Sequence, residues 1–266
     1  MPTPSTQTST LWDEHLPKPL IIAHRGFSDA APENTMAAFR KALDAGADMI
    51  ELDVRESSDH HFMVIHDKKI RRTTMMRGEV RSYTAAELRR IDNGSWFGSG
   101  YAHERILRLS EALRLAARGM LFNVEIKTDV KTDVHQAASS LLEEVAKARC
   151  MHRVLFTSFN HKVIKAINQS GAPVATGILF NPLKNFRRSP SQLIAHAHAQ
   201  AFVCSKYQIN HDVVSDAHKA GYRVFVYGIS TQRDVRRMLK LEVDGLIAND
   251  PLFIRAAVEE INHTAD

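Results

Sequence analysis

MLFNVEIK at 120–127, RVLFTS at 153–158 and VATGIL at 174–179, separated by the helical segments 133–148 and 161–169, decide how this chain is read. A strand with one wet face alternates apolar and polar residues, but these runs are apolar almost throughout. That is how strands of a parallel sheet, covered on both faces, present themselves. The same alternation extends in both directions. Upstream lie Leu20-Ile21-Ile22-Ala23 and the run ending at Asp53, separated by Met36, Phe39, Ala42 and Leu43 at helical spacing. Downstream lie strands at 201–204, 223–227 and 245–248, with helices at 212–220, 232–239 and 252–261 and a shorter helical turn around 191–198.

The count is eight strand and helix units. Strict alternation implies a parallel sheet with right-handed crossovers. Eight units favour closure into a (β/α)8 TIM barrel of the α/β class. An open doubly wound sheet is the alternative, but no glycine-rich dinucleotide fingerprint follows the first strand. A chain of 266 residues with 44% hydrophobic content is long enough to bury one large core.

The pattern breaks between about residues 67 and 105. Gly78, Gly94, Gly98 and Gly100, a short helix expected over 84–91, and Trp96-Phe97 mark a small inserted subdomain after the second strand. Residues 62–66 read as a continuation or partner of that strand, and Ser110 as the cap of a helix over 111–117 that returns the chain to the barrel. Residues 1–19, rich in Ser, Thr and Pro, read as a flexible leader before a single domain over 20–266.

The composition excludes several classes of protein. Lys and Arg exceed Asp and Glu by 35 − 30 = 5, and the basic pairs are dispersed without a stacking aromatic comb, which argues against a nucleic-acid partner. Two cysteines, Cys150 and Cys204, supply neither a disulfide framework nor a cysteine zinc site. No segment approaches the roughly 20 apolar residues that cross a bilayer, and residues 1–19 lack a signal-peptide core, so stable membrane insertion is not expected and the cytoplasm is.

Four polar clusters end apolar runs: His24-Arg25-Gly26, Glu51-Leu52-Asp53, His66-Asp67 and Glu125-Ile126-Lys127. Period-two alternation points Glu51 and Asp53 to one side, and likewise Glu125 and Lys127. In a barrel, functional residues gather at the C-terminal strand ends, where all four clusters are expected. Histidines to move protons, carboxylates to hold a hard cation and fixed cations to hold a phosphate are what phosphoryl chemistry requires.

In this order the clusters resemble the glycerophosphodiester phosphodiesterase family. The resemblance is carried by Ala23-His24-Arg25-Gly26, Pro32-Glu33-Asn34-Thr35, Glu51-Leu52-Asp53-Val54, His66-Asp67, Val124-Glu125-Ile126-Lys127 and Val243-Asp244-Gly245-Leu246-Ile247, across about residues 20–255. Arg71-Arg72-Thr73-Thr74, Glu87-Leu88 and Gly94-Ser95-Trp96 resemble the family's inserted segment. The resemblance implies a catalytic barrel domain that hydrolyses glycerophosphodiesters to sn-glycerol 3-phosphate and an alcohol, within glycerophospholipid and glycerol metabolism. It implies one divalent cation, Mg²⁺ or Ca²⁺ with Mn²⁺ as a further option, on Glu51, Asp53 and Glu125. His24 and His66 match the acid and base pair, and Arg25 and Lys127 lie where the phosphate is held.

Alternatives stand beside these assignments. The lesser alternative for Glu51 and Asp53 is a salt-bridged pair neutralised by Arg25 or Lys127, disfavoured because adding Glu125 makes such crowding costly without a cation. Asp67 orients His66, caps a turn or touches the metal. Trp96, Phe159 and Tyr227 are candidates for the alcohol pocket, and Trp96 with Phe97 equally for packing inside the insert. Tyr227, Ser230 and Ala248-Asn249 depart from the family's more usual Trp, Asn and Thr-Asp, which leaves head-group selectivity open. Two other functions remain: a lysophospholipase D acting on single-chain lipids, and a catalytically silent module that binds phosphate ligands. The sequence does not give the oligomeric state.

Overall fold

The computed structural model describes residues 16–263. In chain order the elements are β1 (Leu20–His24), α1 (Met36–Asp44), β2 (Met49–Glu56), β3 (Phe62–Val64), α2 (Ala85–Leu88), α3 (Leu109–Ala112), β4 (Leu121–Ile126), α4 (Val134–Lys147), β5 (Val154–Ser158) and α5 (His161–Gln169). There follow β6 (Ala175–Leu179), α6 (Pro190–Ala197), β7 (Ala201–Ser205), α7 (His211–Lys219), β8 (Arg223–Tyr227), α8 (Gln232–Lys240), β9 (Gly245–Ala248) and α9 (Pro251–His263). Most of the expected leader lies outside the described residues; where the chain enters them, Leu16 packs against the apolar residues inside the sheet.

Eight parallel strands close on themselves, because β1 pairs with both β2 and β9. The fold is a TIM barrel, as the alternation predicts. Its core has two apolar layers, set by the pleat. Residues of one parity, such as Ile21, Ala23, Ile50, Leu52, Phe122 and Val124, face the surrounding helices, and those of the other, such as Leu20, Ile22, Met49, Leu121, Leu155 and Phe225, fill the inside. Inward positions are apolar toward the strand starts and become polar toward the strand ends. That gradient makes one end of the barrel a plug and the other a site.

Side-chain caps start the outer helices. Asp133, Asn160, Ser189, Asn210 and Thr231 each accept from backbone N–H groups in the first turn of α4 through α8. Each such cap contributes about 1 kcal/mol and sets where the strand-to-helix connection ends.

Three local expectations change. The third polar cluster is not at the end of a barrel strand, since β3 runs antiparallel to β2, with Val64 opposite Val54 and Phe62 opposite Glu56. The hairpin leads His66 back down toward the mouth, and Ile65 N donates to Asp53 O. The helix expected over 84–91 shortens to α2, because the Asp92 carboxylate accepts from the N–H groups of Gly94 and Ser95 and turns the chain away. Ser110 lies within α3 rather than capping it. The Glu111 carboxylate accepts from Arg108 N, so the helix begins earlier, and Ser110 N donates to Glu144 of α4 instead.

Residues 65–106 pack on a small core of their own, built from Met63, Ile65, Ile70, Val80, Leu88 and Ile106. Polar ties hold this segment over the barrel mouth. Arg72 binds Glu33, Arg81 binds Asp129 and Glu56, and the Tyr101 hydroxyl donates to Ala30 O. Glu33 and Ala30 belong to the β1–α1 loop, and Asp129 to the β4–α4 loop.

Candidate active site

The site begins with a tight turn after β1. Arg25 and Gly26 both take positive φ, 55° and 81°. A side chain on residue 26 would place its Cβ 2.7 Å from the carbonyl carbon of Ala38, so only glycine fits against α1. Arg25 holds the left-handed conformation at a cost of about 1–2 kcal/mol, which the surroundings must offset. The turn aims its N–H at Glu51 Oε2, 2.9 Å away, and brings its Nε within 3.2 Å of Asp53 Oδ2.

Parallel register sets the rest at matching heights. His24 lies beside Glu51, and Asp53 beside Glu125. The pleat turns all of them inward, together with Lys127 just past β4. Glu51, Asp53 and Glu125 are buried, and one oxygen from each lies within 4.8 Å of the others. Lys127 Nζ approaches Asp53 Oδ1 to 3.0 Å and hydrogen-bonds to Glu125 Oε1.

Asp53 is the most constrained member. Asn34, itself at φ 58°, donates from Nδ2 to Oδ2 and accepts from the Asp53 N–H, gripping side chain and backbone together. Asp53 Oδ1 is buried without a partner in hydrogen-bonding geometry; the Lys127 ammonium supplies charge but not alignment. An orphaned carboxylate oxygen facing two further carboxylates is a donor set of hard oxygens. It fits a hard divalent cation.

The electrostatics agree. Burial, and then the nearby charge of Asp53, pushes the Glu51 carboxyl up to about 8. Burial likewise raises Glu125, to about 7, against the pull of Lys127. Burial would raise Asp53 too, but Lys127 and Arg25 hold it well below the ordinary carboxylate range. Three carboxylates against two cations leave the cluster one negative charge when fully ionised, and its protons are held where a cation would displace them.

Both histidines line the same space. His24 Nδ1 lies 2.7 Å from Asn249 Oδ1, and its Nε2 lies 4.0 Å from Glu51 Oε2. Burial and then Arg25 lower its pKa. His66 Nδ1 lies 2.6 Å from Asp67 Oδ1, while Asp67 Oδ2 accepts from Arg72 Nε and Arg55 Nε donates to His66 O. Burial lowers His66 as well, with Asp53 opposing. Asp67 therefore orients the ring, and it is outside the carboxylate cluster that could hold a metal.

A cavity of about 140 Å³ joins these groups, lined by His24, Arg25, Glu51, His66, Glu125 and Lys127 together with the buried Asn123 and Thr157 and with Phe159 and Tyr227. Phe159 and Tyr227 are thus brought to the site. Trp96 is not; its indole donates to Asn93 O and its ring meets Phe97 edge-on at 5.7 Å, inside the insert. Asn249 and Arg55 engage the two histidines, although in the sequence Asn249 stands only as a departure and Arg55 carries no signal. Their partners lie 225 and 11 residues away, so no local pattern shows them.

A barrel mouth equipped in this way defines an enzyme of phosphate esters. Comparisons narrow the class. The pattern of the Glycerophosphoryl diester phosphodiesterase family matches residues 24–252, and the chain belongs to that family. A glycerophosphodiester phosphodiesterase from Caldanaerobacter subterraneus is 34% identical over 235 residues, covering 88% of this chain and 95% of its own. A phosphodiesterase from Oleispira antarctica, solved in complex with the product sn-glycerol-3-phosphate, superposes with a TM-score of 0.83 at 27% identity, covering 91% of this chain and 97% of that one. A glycerophosphodiester phosphodiesterase from Agrobacterium tumefaciens superposes with a TM-score of 0.76 at 28% identity, covering 88% and 98%.

Proposed function

We propose that this chain hydrolyses glycerophosphodiesters to sn-glycerol 3-phosphate and an alcohol, with one divalent cation held by Glu51, Asp53 and Glu125. The observation that carries the reading is the convergence of two cations, two histidines and the carboxylates of Glu51 and Glu125 on one small cavity, with the Asp53 carboxylate buried against the other two. Charge supports it. A cluster of one net negative charge becomes positive by one with a divalent cation, and a phosphodiester monoanion then neutralises it.

The bound cation, Mg²⁺, Ca²⁺ or Mn²⁺, would stabilise the charge that builds on the phosphoryl oxygens. Arg25 and Lys127 reinforce that stabilisation as fixed cations at the same cavity. Burial and then Arg25 favour the uncharged form of His24, and its ring Nδ1 is engaged by the Asn249 amide oxygen, which suits the other ring nitrogen to accept the proton of the glycerol 2-hydroxyl as that oxygen attacks phosphorus. His66, backed by the Asp67 carboxylate, donates a proton to the departing alcohol as its bond to phosphorus breaks. In the second step water adds to the cyclic phosphate and opens it, with the two rings exchanging roles.

We assign residues 20–266 to one catalytic barrel domain with an insert at about 67–105. Phe159 and Tyr227 bound the space for the alcohol. A place in the cytoplasm is consistent with Cys150 and Cys204 being buried free thiols. Among the described residues no helix is long and apolar enough to cross a membrane.

The test is release of sn-glycerol 3-phosphate from glycerophosphocholine and glycerophosphoethanolamine with Mg²⁺, Mn²⁺ or Ca²⁺ present, beside lysophosphatidylcholine. His24→Ala and His66→Ala should each lower turnover by about 10²–10⁴. No release from any of these diesters, or full activity in either variant, overturns the reading.

A further inference from the structure

We propose that the barrel mouth is also a docking surface for an anionic lipid bilayer. Scattered exposed apolar side chains are ordinary on any protein surface. Their placement here is not scattered. Among the described residues, every large apolar side chain that stands exposed belongs to the insert, to a connection following the C-terminal end of a barrel strand, or to the first turn of α9 directly after β9. None lies in the helix-to-strand connections at the opposite end.

The most extended of them reach fully into solvent. Met75 in the insert is 93% exposed and Leu183 after β6 is 92%, joined by Val130 after β4, Phe186 after β6 and Tyr207 after β7. The insert belongs to this face because Arg72, Arg81 and Tyr101 tie it to the β1–α1 and β4–α4 loops.

Cations interleave with these tips. The β6–α6 connection reads Asn181-Pro182-Leu183-Lys184-Asn185-Phe186-Arg187-Arg188-Ser189, with three cations and no acid. The Arg187 guanidinium lies 5.3 Å from the Phe186 ring. A cleft of about 580 Å³ beside His66 sets five cations, Arg55, Lys68, Lys69, Arg71 and Arg72, against one acid, Asp67, which is paired with Arg72. Lys69, Arg71, Lys184, Arg187 and Arg188 form no ion pair among the described residues.

Apolar tips set among unpaired cations match a bilayer surface that carries negative headgroups over an apolar interior. A second copy of the chain fits less well, because two such faces would set like charges against each other. Single-stranded nucleic acid fits poorly as well, since Met75, Val130 and Leu183 offer no ring on which a base could stack. The proposal does not depend on the phosphodiesterase reading, because the residues its test changes, Leu183, Lys184, Phe186, Arg187 and Arg188, lie outside the cavity and the test reads binding.

The full chain is floated with vesicles of phosphatidylcholine alone and with vesicles containing about one-third phosphatidylglycerol. Binding should be confined to the anionic vesicles and should weaken with added salt. Replacing Lys184, Arg187 and Arg188 together by Gln should weaken it about 100-fold, near fivefold per charge. Leu183→Ser with Phe186→Ser should weaken it at least about tenfold. Both variants should keep the wild-type melting temperature and wild-type turnover of a water-soluble diester. Absent binding, equal binding to neutral vesicles, or binding unchanged in both variants overturns the proposal. So does sedimentation equilibrium showing self-association that the same substitutions abolish, which would assign the face to a second copy.

Discussion

Lys127→Met removes one ammonium group from the middle of the carboxylate cluster, and its consequences can be worked out from the geometry. In the wild type, Asp53 and Glu125 hold the Lys127 pKa above its ordinary value despite burial, and Lys127 in turn holds Asp53 down. Breaking a buried ion pair by removing one partner costs about 3–5 kcal/mol when the other charge is stranded. Here the stranding is partial, because Glu51 at about 8 and Glu125 at about 7 can each take a proton near neutral pH. A loss of about 1–3 kcal/mol is expected, which for a chain of this size lowers the melting temperature by about 2–12 °C. Turnover should fall further, by about 10²–10³ in kcat, because a fixed cation that strengthens its hold as charge develops is lost. A divalent cation should also raise the melting temperature of the variant more than that of the wild type, since Lys127 competes for the same oxygens. The assay pairs thermal melts across a Mg²⁺ or Mn²⁺ titration with kcat on glycerophosphocholine. Wild-type turnover, or a smaller metal-induced rise than in the wild type, refutes this account of Lys127.

Further outcomes follow from the same site. Without divalent cation, Glu51 binds its proton more tightly folded, at about 8, than unfolded, at the ordinary 4.5, so that stabilisation is complete below about pH 4.5 and disappears as pH rises through 8. Melts in chelator should therefore decline from pH 5 to pH 8, saturating Mg²⁺ should reverse the slope, and a chelated melting temperature that climbs with pH contradicts the assignment. Asn249→Asp places a carboxylate 2.7 Å from His24 Nδ1, which should raise the His24 pKa and move the acid limb of kcat/KM up by about one unit or more; an unmoved limb removes His24 as the proton acceptor. Gly26→Ala forces a Cβ to 2.7 Å from the Ala38 backbone at φ 81°, and should cost about 1–3 kcal/mol or more and lower the melting temperature by at least about 2 °C. Gly100→Ala is the control, as nothing lies within 4 Å of its Cβ, and equal melts for the two variants would show that the turn carries no strain.

The sequence by itself determined the barrel and most of the candidate site. Short, almost wholly apolar runs of strand length, alternating with segments of helical periodicity, admit few other architectures, and the pleat made Glu51 face the same way as Asp53, and Glu125 the same way as Lys127. The position of His66 was legible as a residue but not as a place, because a hairpin and a barrel strand share the same local pattern and only the antiparallel pairing of β3 with β2 returns it to the mouth. Tertiary structure alone decided the partnership of His24 with Asn249, the grip of Asn34 on Asp53 and the role of Glu33 as the bridge between Arg25 and Arg72. It likewise moved Trp96 out of the cavity while bringing Phe159 and Tyr227 into it. Hydrophobic periodicity is a property of neighbours along the chain, whereas these contacts join loops after different strands. Their geometry exists only once the ring of eight strands has closed.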